Sequence, residues 1–90
     1  MTQEKRLKQF KKVQDEAFEL FNKKNTDYGD SFADYGVVGI LVRMGDKVKR
    51  YMSVSNKGIS LVNDEALRDT LIDLVNYGTM CLMLMDENDH

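Results

Sequence analysis

Apolar residues recur along this chain at helical spacing in three segments, and the stretches between them hold the turn formers. From about Gln3 to Lys24, the residues Leu7, Phe10, Val13, Ala17, Phe18 and Phe21 line one stripe, which predicts an amphipathic helix. Residues 25–35 read Asn-Thr-Asp-Tyr-Gly-Asp-Ser-Phe-Ala-Asp-Tyr, a loop dense in turn formers and aromatics in which Gly29 can take a positive φ. A second helix is expected from near Gly36 to about Ser53. It would bury Val37, Leu41, Met44, Val48 and Met52 on one side and carry Arg43, Asp46, Lys47 and Arg50 on the other. A polar connection over 54–63 turns at Asn56-Lys57-Gly58 and has room for a short extended piece at 59–62. Asn63 or Asp64 then caps a third helix that reaches about Met85, with acids in its first turn at the positive end of the helix dipole.

The third helix is asymmetric. Leu67, Leu71, Leu74, Val75, Gly78, Leu82 and Met85 form one stripe, expected to pack on the other two helices. At about 100° per residue, Glu65, Asp69, Asp73 and Asn76 share an arc of roughly 80° on another face. That face changes further along to Met80, Met83 and Leu84. Three carboxylates and an amide beside hydrocarbon must be solvated, paired with cations or bound to a metal. A second apolar patch of this kind is seldom left in water. The pattern therefore predicts an all-α fold: a three-helix domain with helices at about 3–24, 36–53 and 64–85 that oligomerises into a four-helix or larger bundle by pairing third helices.

Ninety residues make one domain, 1–90. With no run of 18 apolar residues and no signal peptide, the chain reads as a soluble cytoplasmic protein that does not enter a membrane. Its single cysteine, Cys81, can form no disulfide within the chain and reads as inert packing in an apolar run. The net charge of −2 exerts no general pull on nucleic acid. Lys5, Arg6, Lys8, Lys11 and Lys12 make the N-terminal segment basic, but without interleaved aromatics for base stacking they read as a solvated helix face. The one histidine, His90, ends the sequence, so no internal imidazole serves a triad, a proton relay or a zinc site, and the serines lack a general base.

Several motifs in fixed order then resemble a known family. Lys24-Asn25-Thr26-Asp27-Tyr28-Gly29-Asp30-Ser31-Phe32 is followed by Tyr35-Gly36-Val37-Val38-Gly39, by Arg43-Met44-Gly45-Asp46-Lys47 with Arg50, and by the run from Asp64 to Tyr77. Together, over roughly Lys24 to Met85, they resemble the nucleotide modification associated domain, type one, a small domain abundant in bacteriophages. The resemblance implies an all-α domain linked to phage nucleotide or DNA-base metabolism, and it assigns no reaction. The chain is more distantly similar to the all-α nucleoside triphosphate pyrophosphatases of MazG type, which use carboxylate pairs on two helices to hold magnesium against a triphosphate. In that comparison Glu16 and Glu19 stand for the first pair, and Glu65, Asp69 and Asp73 for the second. The later acids are spaced four apart where the family has three, and Glu19 also suits an ordinary i,i+4 pair with Lys23.

These residues define the candidate chemistry. Arg43 and Arg50 can grip phosphate oxygens bidentately while Lys47 acts as a point charge. Asp27 and Tyr28 would meet the base or sugar, and Lys24, Gly29, Asn76 and Tyr77 complete the candidate ligand-binding set. Glu65, Asp69 and Asp73, with Glu16, are the candidate metal ligands; if a cation binds there, hard carboxylate oxygens favour magnesium. The opposing reading pairs these acids with the three basic residues of the second helix. The expected partner is a nucleotide or nucleotide-derived small molecule, bound and sequestered at a subunit interface. The alternatives are a magnesium-dependent nucleoside triphosphate pyrophosphohydrolase, or a helical bundle that takes no small ligand.

Overall fold

A computed structural model of the chain describes residues 1–56 and 65–88. Three helices account for nearly all of them, and no strand occurs among the described residues. Helix α1 spans Gln3–Tyr28, α2 spans Phe32–Asn56 and α3 spans Glu65–Asn88. The expected turn at 56–58, the extended piece at 59–62 and the caps Asn63 and Asp64 fall wholly or partly outside the described residues.

Local chemistry sets the ends of α1. The Thr2 hydroxyl accepts a hydrogen bond from the Lys5 amide at 3.2 Å, satisfying one of the donors that a helix start leaves open. At the other end Gly29 adopts φ 59°, ψ 47° and donates its N–H to the Asn25 carbonyl at 2.9 Å, a left-handed cap that glycine forms without strain. The helix therefore runs beyond Lys24 to Tyr28. Asp27 and Tyr28 lie in its last turn rather than in a loop, and the link to α2 shrinks to residues 29–31. The turn formers Asn25 and Thr26 are absorbed into the helix, where the Thr26 hydroxyl donates to the Asn22 carbonyl at 2.7 Å.

Helix α2 begins with a single turn that breaks at Gly36, whose φ of 69° and ψ of 174° are non-helical; regular helix follows. The expected start near Gly36 thus marks the kink between two helical pieces.

The chain divides into two compact units, Met1–Ser31 and Phe32–His90. In the second, α2 and α3 pack antiparallel: the Cys81 thiol lies 3.9 Å from the Val37 carbonyl oxygen at one end, and Lys47 meets Asp73 at the other. Ile40, Cys81 and Leu84 form the buried centre, flanked by Phe32, Val37, Met44, Tyr77 and Met80. Cys81 sits among hydrocarbon, as its surroundings in the sequence indicate.

Two packing faces differ from the expected ones. On α2 the inward side carries Val37, Ile40, Met44, Lys47 and Tyr51, whereas Leu41, Val48 and Met52 are exposed. The contact stripe is rotated by about 60° toward the charged side. Ile40 is the most deeply buried large side chain, at 1 % exposure. On α3 four of the seven expected positions turn outward, while Leu67, Leu74 and Gly78 are half-buried and Ile72 is buried. The face that opens with Asp73 and Asn76 and continues through Tyr77, Met80, Cys81 and Leu84 packs inward, while Leu71, Val75, Leu82 and Met85 are exposed. Both helices carry two apolar stripes, and the pair that also lets Lys47 reach Asp73 is the one in contact. Lysine tolerates such a position because its aliphatic stem can lie along apolar surface with the ammonium at the edge. No helix among the described residues is long and apolar enough to cross a membrane.

Candidate functional site

The basic residues of α2 form a ridge. Arg43, Lys47 and Arg50 stand at i, i+4 and i+7, within about 60° of one another around the helix axis. The kink at Gly36 places the preceding turn so that Tyr35 returns along this ridge. The Arg43 guanidinium donates through Nη2 to the Tyr35 hydroxyl at 3.0 Å, and its central carbon lies 4.3 Å from the Tyr35 ring centroid. A cation this near an aromatic face is attracted by the ring quadrupole. The sequence shows Tyr35 only as a loop aromatic, because its link to Arg43 depends on the kink. The signal for that link is Gly36, which can take the positive φ; Gly39, also between Tyr35 and Arg43, continues the helix.

Lys47 is held from the other helix. Its ammonium donates to Asp73 Oδ2 at 3.2 Å and lies 5.9 Å from the Tyr77 ring centroid. The side chains of this pair are 33 % and 18 % exposed, so it is neither a loose surface contact nor a fully buried one. Asn76, almost one turn beyond Asp73, is buried and its side chain is engaged. Arg43, Lys47, Tyr35, Asp73 and Tyr77 thus form a charged and aromatic strip along the α2–α3 pair. Arg50 and Asp69 are exposed along the same two helices.

The other candidate residues are placed differently. Lys24, Asp27, Tyr28 and Gly29 belong to the first unit, at the C-terminal end of α1, and all four are exposed. Glu16 is exposed in the middle of α1. Glu65 begins α3, but its side chain lies outside the described residues. Among the described residues, no three His, Cys, Asp or Glu side chains converge to hold a metal ion. Asp69 and Asp73 stand one turn apart, and Asp73 Oδ2 already accepts from the Lys47 ammonium.

A family model described as nucleotide modification associated domain 1 matches residues 24–85. No curated protein and no solved structure matches the chain. The matched span contains the α2 ridge and Glu65, Asp69 and Asp73 of α3, and leaves Glu16 and the basic N-terminal run outside.

Proposed function

The chain belongs to the nucleotide modification associated domain 1 family, and from that premise we propose that it binds and sequesters a phosphate-bearing nucleotide or nucleotide-derived signal. The observation that carries this reading is the ridge itself, where Arg43 and Lys47 stand one turn apart and each lies beside a tyrosine ring. Cations suit the phosphates, and an aromatic face suits a base. Asp73 steadies the Lys47 ammonium without neutralising Arg43. Sequestration needs affinity and abundance but no catalytic group. It is consistent with a phage protein acting on nucleotide metabolism or in counter-defence in the host cytoplasm.

We further propose that the protein works as a homo-oligomer. The support is the exposed stripe of Leu71, Val75, Leu82 and Met85 on α3, together with exposed Leu41, Val48 and Met52 on α2. So much apolar surface on so short a chain is normally covered by another subunit.

Thermal shift against a panel of linear and cyclic nucleotides tests the binding. A ligand at 100 times its dissociation constant should stabilise the protein by about 2.7 kcal/mol. Arg43→Ala should weaken binding by about 10- to 100-fold, the loss of a charge-assisted contact. Asp73→Asn discriminates between readings. In a phosphate site it removes a nearby negative charge and releases Lys47, so affinity should rise by about three- to tenfold. In a magnesium-dependent pyrophosphohydrolase the same change should abolish release of pyrophosphate from nucleoside triphosphates. No shift with any nucleotide, and Arg43→Ala indistinguishable from the parent chain, would leave a bundle held by interhelical ion pairs.

A further inference from the structure

The two cations at the centre of the ridge are held in different ways. Lys47 donates to a carboxylate, that of Asp73, which compensates its charge, whereas the partner of Arg43 is a neutral phenol. Tyr35 meets the guanidinium twice: its hydroxyl accepts from Nη2 at 3.0 Å, and its ring centroid lies 4.3 Å from the central carbon. One face of the Tyr35 ring is therefore already taken by a cation. Arg43 itself is exposed, and the hydroxyl uses only one of the five donors of its fork.

Gly39 belongs to the same arrangement, four residues from Tyr35 on one side and from Arg43 on the other. A Cβ built on Gly39 would lie 3.1 Å from the Tyr35 Cβ, so any larger residue would force Tyr35 to give by a few tenths of an ångström. Glycine weakens a helix interior relative to alanine, and here the missing methyl is the room that Tyr35 occupies. What Tyr35 does for Arg43 follows from the cost of ordering. A free arginine side chain has many rotamers, and an anion that binds it must remove that freedom. A carboxylate partner would also hold the guanidinium, but it would cancel the charge and compete with an incoming anion. A phenol holds it and does neither.

We propose that Tyr35 is a positioning residue: seated over Gly39, it fixes the Arg43 guanidinium in advance, so that the rest of the fork can grip two oxygens of one phosphate group. The inference rests on the phosphate-binding reading of the ridge and divides its labour. Tyr35 acts on the ligand through Arg43 and is not the surface on which a base stacks.

Nuclear magnetic resonance of the Arg43 Nε–H in the full-length chain, assigned by its loss in Arg43→Lys, reads the positioning without any ligand. In the parent the Tyr35 ring should shift this signal upfield of those of Arg6, Arg50 and Arg68, and Tyr35→Leu should return it to their range. Gly39→Ala should move it the same way while circular dichroism retains the helix signal. Titration with inorganic pyrophosphate then reads the consequence. Tyr35→Leu should weaken its binding by about two- to tenfold, the cost of ordering one long side chain on association. Tyr35→Phe, which keeps the ring and loses the hydroxyl, should weaken it less, and it keeps the test open if Tyr35→Leu fails to fold. In an Arg43→Ala background Tyr35→Leu should change nothing further, because its effect passes through Arg43. A further loss there would mark a tyrosine that touches the ligand itself and would overturn the proposal. So would an Arg43 signal in the parent that falls among those of the other arginines. Pyrophosphate binding untouched by Tyr35→Leu and Tyr35→Phe, or a parent that binds panel nucleotides but no pyrophosphate, would overturn it and leave the nucleotide-binding reading standing. A parent that binds neither would overturn both.

Discussion

Replacing Ile40 by alanine is expected to destabilise the protein by about 3 kcal/mol, within the usual range for a large aliphatic residue truncated in a core. Ile40 is 1 % exposed and packs with Cys81 and Leu84, so the change removes hydrocarbon where side chains from two helices converge. At the usual 0.05–0.15 kcal/mol per residue, a chain of this length has a total stability of roughly 5–13 kcal/mol. A loss of this size takes roughly a quarter of it or more, and lowers the melting temperature by about 12–24 °C. Urea denaturation measures it directly. The decisive comparison is Leu41→Ala, the neighbouring residue that helical patterning alone assigns to the core. Because Leu41 is exposed, its truncation should cost about 0.5 kcal/mol or less in the isolated chain. Any larger loss should grow with protein concentration, as burial in an oligomer requires. Equal losses at low concentration would refute the observed packing face of α2.

Gly36→Ala should also be strongly destabilising. At φ 69° and ψ 174° the backbone lies in a region nearly closed to residues with a Cβ, and forcing alanine there costs on the order of 1–3 kcal/mol. A Cβ at Gly36 would have no atom within 4 Å, so the cost comes from the backbone alone. Gly45 supplies the control of opposite sign. It lies in regular helix with open space around a Cβ, and Gly45→Ala should stabilise by up to about 1 kcal/mol. Thermal melts of the two variants should therefore move in opposite directions. Gly36→Ala should also weaken the proposed nucleotide binding more than its stability loss explains, since Gly36 is the break between Tyr35 and its partner Arg43. If both substitutions were stabilising, the break in α2 would not exist in solution.

The pairing of Lys47 with Asp73 shows how much of the candidate site is legible without the fold. Arg43, Lys47 and Arg50 share a helical face by spacing alone, as do Asp69, Asp73 and Asn76, so both strips can be read from the sequence. Their meeting is only one of the alternatives that spacing leaves open, and the contact at 3.2 Å selects it for Lys47 and Asp73. Arg43 turns instead to Tyr35, through a kink that no periodicity encodes. The α1 terminus differs from expectation for a local reason: a stretch of turn formers continues the helix until Gly29 can supply the left-handed cap.

The all-α class, the three helices in order, the capping glycine and the two charged strips all follow from the chain's local pattern. Each depends on residues a few positions apart, where propensity and periodicity act. The packing of α2 on α3 is what makes Ile40 central, leaves Leu41 and Leu71 exposed, and turns inward the face of α3 that bears Asp73 and Asn76. Each of these helices offers two apolar stripes. Local energetics do not distinguish them, and the choice follows from which pair of faces can bury hydrocarbon and satisfy the Lys47 and Asp73 charges together.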